Sequence, residues 1–353
     1  MSILPISQPD PATRVRALDI ARGAGIVLVV YAHVVRGLLG AGLSADPATQ
    51  ALVDSVIYSF HMPFFFFLSG SLFPGSLSRL GAGGLVRSRL GLIMYPYVLW
   101  SLIQGGIEVF LGRYTNGTTT LNDVFGLIWQ PRAHFWFLYE LFAVITVSAV
   151  LYRPAIKRSS WLILLLALTL YFSGFSPVDL FVINAFGQWF VFFALGVTFS
   201  NEALRAWSRP LLVFLLAAVI FALLEWIFHL QWGLRSESAA PLARFPLALA
   251  GIALILALAQ VLAQRGAFWL EYIGRNAMEI YLVHILAGSG IRILLQRGLG
   301  ISNWEVHLVA GLVGGVALPL AIAVFVRQGR WLGWIFAPPR LQRKTVNLVV
   351  GGT

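Results

Sequence analysis

The stretch LDIARGAGIVLVVYAHVV, residues 18–35, carries an aspartate, an arginine and a histidine inside a run otherwise apolar enough to cross a bilayer. Ionisable side chains in such a run are costly to bury, face the protein interior or water, and mark functional positions by default. At about 100° per residue, Asp19, Arg22, Ile26, Val29, Val30 and His33 share one helical face. Between Arg22 and His33 a helix rises roughly 16 Å. One face therefore holds a cation near one end of the span and an imidazole well inside it, joined by an aliphatic strip.

The rest of the chain supports the same class. Of 353 residues, 59% are hydrophobic and 11% charged, and the mean hydropathy is +0.82, far from a soluble domain. Runs of about 20 apolar residues recur near 18–40, 52–74, 90–111, 134–152, 160–176, 181–199, 210–230, 243–264, 270–295 and 305–326. The expected fold is an all-α, polytopic membrane protein of about ten transmembrane helices. A short segment (1–17) would precede the membrane domain (18–330), and a basic tail (331–353) would follow it. The connections are too short to hide a soluble domain, and the first span is expected to be retained as structure rather than cleaved as a signal.

A net charge of +11 raises the question of nucleic acid, but the Lys and Arg are spread along the chain rather than gathered in a basic domain. They concentrate on connections that fall on the N-terminal side, which places both termini in the cytoplasm. The absence of cysteine excludes disulfides, thiolate metal sites and a cysteine nucleophile. No two-histidine metal motif occurs on any span, so no metal is expected.

With alternating spans, all six histidines fall in the outer half of the membrane. His33 lies about 9 Å below the outer end of its helix and His61 about 13 Å below the end of the next, so the two are candidates to meet. Pro63, just after His61, is expected to loosen that helix. His229 and His307, near the surface, read first as interhelical hydrogen-bond partners. Asp19, one turn before Arg22, is placed to pair with it, and Gly23 and Gly25 leave room beside it for a helix or a ligand. Arg275 and Glu279 stand at i,i+4 spacing, which predicts an ion pair. Trp100 and Trp189, near span ends, read as interfacial anchors, whereas Trp136, beside His134, is a candidate to line a binding site. The polar connection 113–133 is long enough to cover a ligand.

The segment RALDIARGAGIVLVVYAH, residues 16–33, with ten residues between Arg22 and His33, resembles the signature of the acyltransferase-3 membrane family. SFHMPFFFFLSGSLF at 59–73 is similar to that family's second segment. YPYVLW (95–100), HFWFLYELF (134–142), FFALG (192–196) and IGRNAMEIYLVH (273–284) follow in the expected order. The resemblance is closest to the fucose-type and polysaccharide O-acetylases. Ala21 and Glu279 depart from the residues common in the family.

What the resemblance implies is transfer of an acyl group, usually acetyl, from cytoplasmic acyl-CoA to a sugar or glycolipid hydroxyl, in a bacterial inner membrane. Acetyl-CoA would be the co-substrate. Arg22, with Asp19 and Gly23, would hold a phosphate of coenzyme A, and Ile26, Val29 and Val30 would line a slot for the pantetheine arm. His33 would act as general base, or as a nucleophile carrying the acyl group. An imidazole buried among apolar groups favours its neutral form, which a base requires. His61 and Glu140 are the candidates to polarise the carbonyl or orient His33; His134, Trp136 and His284 are candidates to contact the acceptor. Buried Arg, His and Glu on ten spans would also suit a transporter or flippase for a glycolipid or small anion. The informative residues cluster in two adjacent helices, which argues against that alternative.

Overall fold

The computed structural model describes residues 11–43, 46–112, 119–152, 156–174, 181–205, 207–236, 238–328 and 332–338. Among these the chain is helical, with no strand. The helices are α1 (Pro11–Gly40), α2 (Pro47–Arg89), α3 (Tyr95–Phe110), the short α4 (Leu121–Phe125), α5 (Trp136–Leu151), α6 (Ile156–Ser173), α7 (Phe181–Thr198), the short α8 (Ser200–Leu204), α9 (Pro210–Trp226), α10 (Pro241–Gln264), α11 (Phe268–Arg275), α12 (Ala277–Ile293) and α13 (Trp304–Gln328). Eight helical stretches are long and apolar enough to cross a membrane. One of them, Pro47–Phe110, contains two of the ten expected spans, and the fifth expected span is a shorter apolar helix, Ser160–Ser173. The chain is thus a multi-pass, all-α membrane protein.

α1 lies at the centre, against α2, α10, α11, α12 and α13. Lipid tails are as apolar as leucine, so helices associate through close packing, and small residues mark the contacts. A methyl added at Gly23 would strike the Leu270 carbonyl, and one at Gly274 would strike the Asp19 carbonyl, so α1 and α11 interlock backbone to backbone. Gly311 and Gly315 of α13 likewise admit Val34 and Val30 of α1. The periphery is the reverse: Leu211, Leu212, Leu215, Leu216, Val219, Ile220 and Leu223 of α9 are exposed, as a lipid-facing surface requires.

Local chemistry explains the helix boundaries. Asp46 caps α2, accepting from the Ala48 and Thr49 amides (3.1 and 3.2 Å), with Pro47 at the first helical position, where its missing N–H is harmless. α2 continues through Pro63, which has no amide to donate to the preceding turn; its break is at Gly81, whose φ of 65° suits only glycine well. The ninth expected span, 270–295, is two helices, divided at Asn276 (φ −107°, ψ 20°).

That division overturns the Arg275–Glu279 pair, because residues on either side of a break no longer share a helical ridge. Arg275 turns instead to Glu271 and Asp19, while Glu279 binds Arg327 of α13 (2.7 Å). Two tryptophans are also not belt anchors. Trp100 is buried and donates to the Ile335 carbonyl (2.7 Å), and Trp189 stacks on Phe66 with ring centroids 5.6 Å apart. The Trp100 bond, with Tyr95 Oη donating to Trp334 O (2.8 Å), docks residues 332–338 on α3. Residues 113–118 of the polar connection and 339–353 of the expected tail lie outside the described residues.

Candidate active site

The face expected on α1 points inward throughout. Asp19, Ile26, Val29 and Val30 are buried, and Arg22 and His33 are half-buried at its two ends. Arg22, Ile26 and Val29 line a cavity of about 550 Å³. Its other walls come from Met62, Phe65, Leu68 and Leu72 of α2, from Phe137, Leu138, Leu141 and Ile145 of α5, and from Met278 and Tyr281 of α12. Phe336 and Ala337 of the docked segment close one side. The cavity is charged at one end and apolar along its length.

The charged end is not neutralised from within. Asp19 is shared by Arg22 (2.7 Å) and Arg275 (3.4 Å), and Glu271 is shared by Arg16 (3.2 Å) and Arg275. Arg89 lines the same cavity, and among the described residues no carboxylate pairs with it. Glu279, also in the lining, is taken by Arg327 (2.7 Å), so five arginines surround three carboxylates and leave positive charge at the mouth. A site of this kind attracts a multiply charged anion, and guanidinium groups are suited to bidentate phosphate binding.

At the opposite end of the cavity stands a group of three imidazoles. The His33 ring is 5.2 Å from that of His284 and 5.7 Å from that of His134, and those two are 5.0 Å apart. Tyr281 organises them. His134 Nε2 (3.1 Å) and His284 Nδ1 (2.8 Å) both reach the Tyr281 carbonyl, while the Tyr281 hydroxyl donates to the His134 carbonyl. A carbonyl only accepts, so both ring nitrogens must carry protons. The remaining nitrogens, His134 Nδ1 and His284 Nε2, therefore bear lone pairs; both are buried and without a hydrogen-bond partner. Leaving a buried acceptor unmet costs about 1–3 kcal/mol, so the cluster is built to receive a donor. One donor at hand is a ring N–H of His33, whose other nitrogen would then be free.

Local strain marks the same place. Ala133, just before His134, takes φ 48° without being glycine, a conformation costing about 1–2 kcal/mol. It sets the 3₁₀ turn Ala133–Phe135 that carries His134 into the interior rather than leaving it at the surface.

His33 also lines a second cavity, of about 230 Å³, on the side away from Arg22. Two spaces thus approach the histidine group from opposite ends, one ending at Tyr281 and the other beginning at His33 and His284.

The remaining candidates divide. His134 and His284, expected as acceptor contacts, are the neighbours of His33. His61 is buried, donates from Nδ1 to the Ile57 carbonyl (2.8 Å) and lies edge-on to Tyr58; no ring contact joins it to His33 among the described residues. Glu140 is fully buried in α5 with neither oxygen hydrogen-bonded, and it touches none of the histidines by ring contact or hydrogen bond. Gly23 serves the α1–α11 contact rather than approach of a ligand. Trp136 packs on Trp189 (5.3 Å), which with Tyr58 lines a separate cavity of about 310 Å³. Tyr281 was missed; its signal in the sequence is its place three residues before His284, one turn away on the same face.

The sequence profile of the acyltransferase-3 family, an acyltransferase domain, matches residues 15–326. Nodulation protein NolL of Mesorhizobium japonicum is 26% identical over 226 residues, covering 62% of this chain and 56% of that protein. NolL of Sinorhizobium fredii is 25% identical over 186 residues, covering 52% and 48%. The chain spans about half the length of the curated relatives it matches. No solved structure matches it. The profile covers the arginines of the cavity and the histidine group, from the second turn of α1 to the last of α13, and the chain belongs to the acyltransferase-3 family of membrane acyltransferases.

Proposed function

We propose that this protein is an O-acyltransferase that moves an acyl group, acetyl in the simplest case, from cytoplasmic acyl-CoA to a hydroxyl of a carbohydrate or glycolipid. The supporting observation is a pair of cavities on either side of the histidine group, one running from Arg22, Arg89 and Arg275 to Tyr281 and the other lined by His33 and His284. The Arg22 end faces the cytoplasm of a bacterial inner membrane. Arg22, Arg89 and Arg275 bind the phosphates of the donor, and the strip from Ile26 to Val29 lines its pantetheine arm.

The acceptor hydroxyl comes from the other side. His33 takes its proton as the oxygen attacks the thioester carbonyl; the C–S bond then breaks and the thiolate leaves with a proton returned from the imidazolium. His134 accepts the second ring proton of His33 through Nδ1 and so fixes which nitrogen is free, a positioning role, while His284 Nε2 stays open to the acceptor-side cavity. Asp19 holds the Arg22 guanidinium towards the cavity.

Purified protein in nanodiscs, given acetyl-CoA and a panel of sugar acceptors, should release free coenzyme A only when an acceptor is present. His33→Ala should lower that rate by about 10²–10⁴-fold and leave coenzyme A binding within experimental error. Normal turnover by the His33→Ala variant would remove the mechanism, and transport of an acceptor without coenzyme A release would favour a flippase.

A further inference from the structure

The cavity on the far side of His33 is chemically one-sided. Arg292 lines it from α12. His284, Gly288 and Arg292 follow one another at i,i+4 steps, so they form a single stripe on that helix, and Gly288 leaves the space between the other two open. Arg292 is 7% exposed, and its Nε is buried without a hydrogen bond. Among the described residues no carboxylate pairs with it. The acid at this end of α2, Asp54, is held by Arg36 through three hydrogen bonds of 2.8–3.0 Å.

An arginine buried in a membrane protein without a counter-ion carries a desolvation cost, which a ligand anion would offset. A snorkelling arginine sends its head to the lipid headgroups; this one faces a cavity that it shares with His33.

The same cavity presents unmet acceptors. His307 donates from Nε2 to the Ile301 carbonyl (2.8 Å), which leaves Nδ1 a buried lone pair with no partner. His284 Nε2 is in the same state. The wall therefore offers a cation for an anion and lone pairs for hydroxyl protons, in about 230 Å³, space for one sugar ring and not for a polymer.

From this we infer that the acceptor is an acidic sugar, one whose ring carries a carboxylate or a phosphate, and that Arg292 recognises the anion while His307 and His284 take its hydroxyls. This rests on the acyl-transfer reading and adds the charge of the acceptor to it. Arg292 selects the substrate and holds it beside His33; the reacting hydroxyl is a different group on the same ring.

The test uses the full chain in nanodiscs of neutral lipid and, separately, of lipid containing anionic headgroups. The probes are methyl glucuronide, glucose 1-phosphate and the neutral methyl glucoside. Coenzyme A release gives kcat/KM for each, and thermal shift gives binding whether or not turnover occurs. At least one acidic probe should exceed methyl glucoside by tenfold or more in wild-type protein, and the uronide and phosphate arms tell which anion is preferred. Arg292→Gln should bring that ratio close to one with the acetyl-CoA Kd unchanged, and Arg292→Lys should keep part of the preference.

Equal use of acidic and neutral probes by the wild type overturns the inference, as does an Arg292→Gln variant that keeps the preference. It is overturned too if no probe binds, or if the variant differs from wild type only in anionic-lipid nanodiscs, which would make Arg292 a headgroup site. If Arg292→Gln does not fold, the wild-type ratio and the Arg292→Lys variant decide. Absence of coenzyme A release with every probe, together with an Arg292-dependent thermal shift by an acidic one, would reject acyl transfer and keep the anion site.

Discussion

Arg22→Gln separates donor binding from chemistry, and the structure sets its size. A charge-assisted hydrogen bond contributes about 1.5–3 kcal/mol. The Arg22 side chain is 33% exposed, so solvent screens part of this and the lower half of the range applies. A loss of about 1.5–2 kcal/mol raises the Kd for coenzyme A about 10–30-fold. The cost to the fold is small, because Asp19 does not lose every partner: Arg275 remains 3.4 Å from it. Its stability effect is therefore about 1 kcal/mol or less, the range of a solvent-screened pair.

The assay is calorimetric titration of coenzyme A into the purified protein in nanodiscs at low and moderate salt. The gap between variant and wild type should narrow as salt rises, because screening weakens what the variant has lost. At saturating donor, turnover should stay close to wild type. A Kd shift below about threefold, within reach of an exposed ion pair, refutes the phosphate assignment. So does a fall in saturated turnover as deep as that of His33→Ala, which would place Arg22 in the chemistry.

Two further substitutions test the framework. Gly274→Ala drives a methyl into the Asp19 carbonyl, and backbone cannot move aside as a side chain can; it should cost about 1–3 kcal/mol, lower the unfolding temperature and weaken donor binding, while Gly106→Ala, where nothing lies within 4 Å, should do neither. Thermal unfolding in one detergent compares them, and equal stability of the two would show that the α1–α11 contact is looser than described. Tyr281→Phe removes the donor to the His134 carbonyl, about 0.5–1.5 kcal/mol; turnover should fall several-fold with little change in the Kd for coenzyme A, and unchanged turnover would show that the position of His134 does not matter to the reaction.

Much of this was legible in the residues. Helical geometry is local, so the shared face of Asp19, Arg22, Ile26, Val29 and His33 follows from position alone, and the Asp19–Arg22 pair with it. The family motifs add the expectation of acyl transfer. The Arg275–Glu279 pair failed because a single residue, Asn276, interrupts the ridge on which i,i+4 reasoning depends. Trp189 and Trp100 failed because an aromatic near a span end has the same local pattern whether it meets lipid or another helix.

What the chain's order of residues determined by itself was the solvent it lives in and the side of each helix that turns inward, since both depend on composition and on a period of 3.6. Which imidazoles surround His33 was decided only in three dimensions. Depth counted along separate helices favoured His61, but depth says nothing of the angle at which helices meet. The choice of His134 and His284 follows from the interlocked glycines that centre α1, from the strained turn at Ala133, and from one carbonyl, that of Tyr281, binding two rings at once.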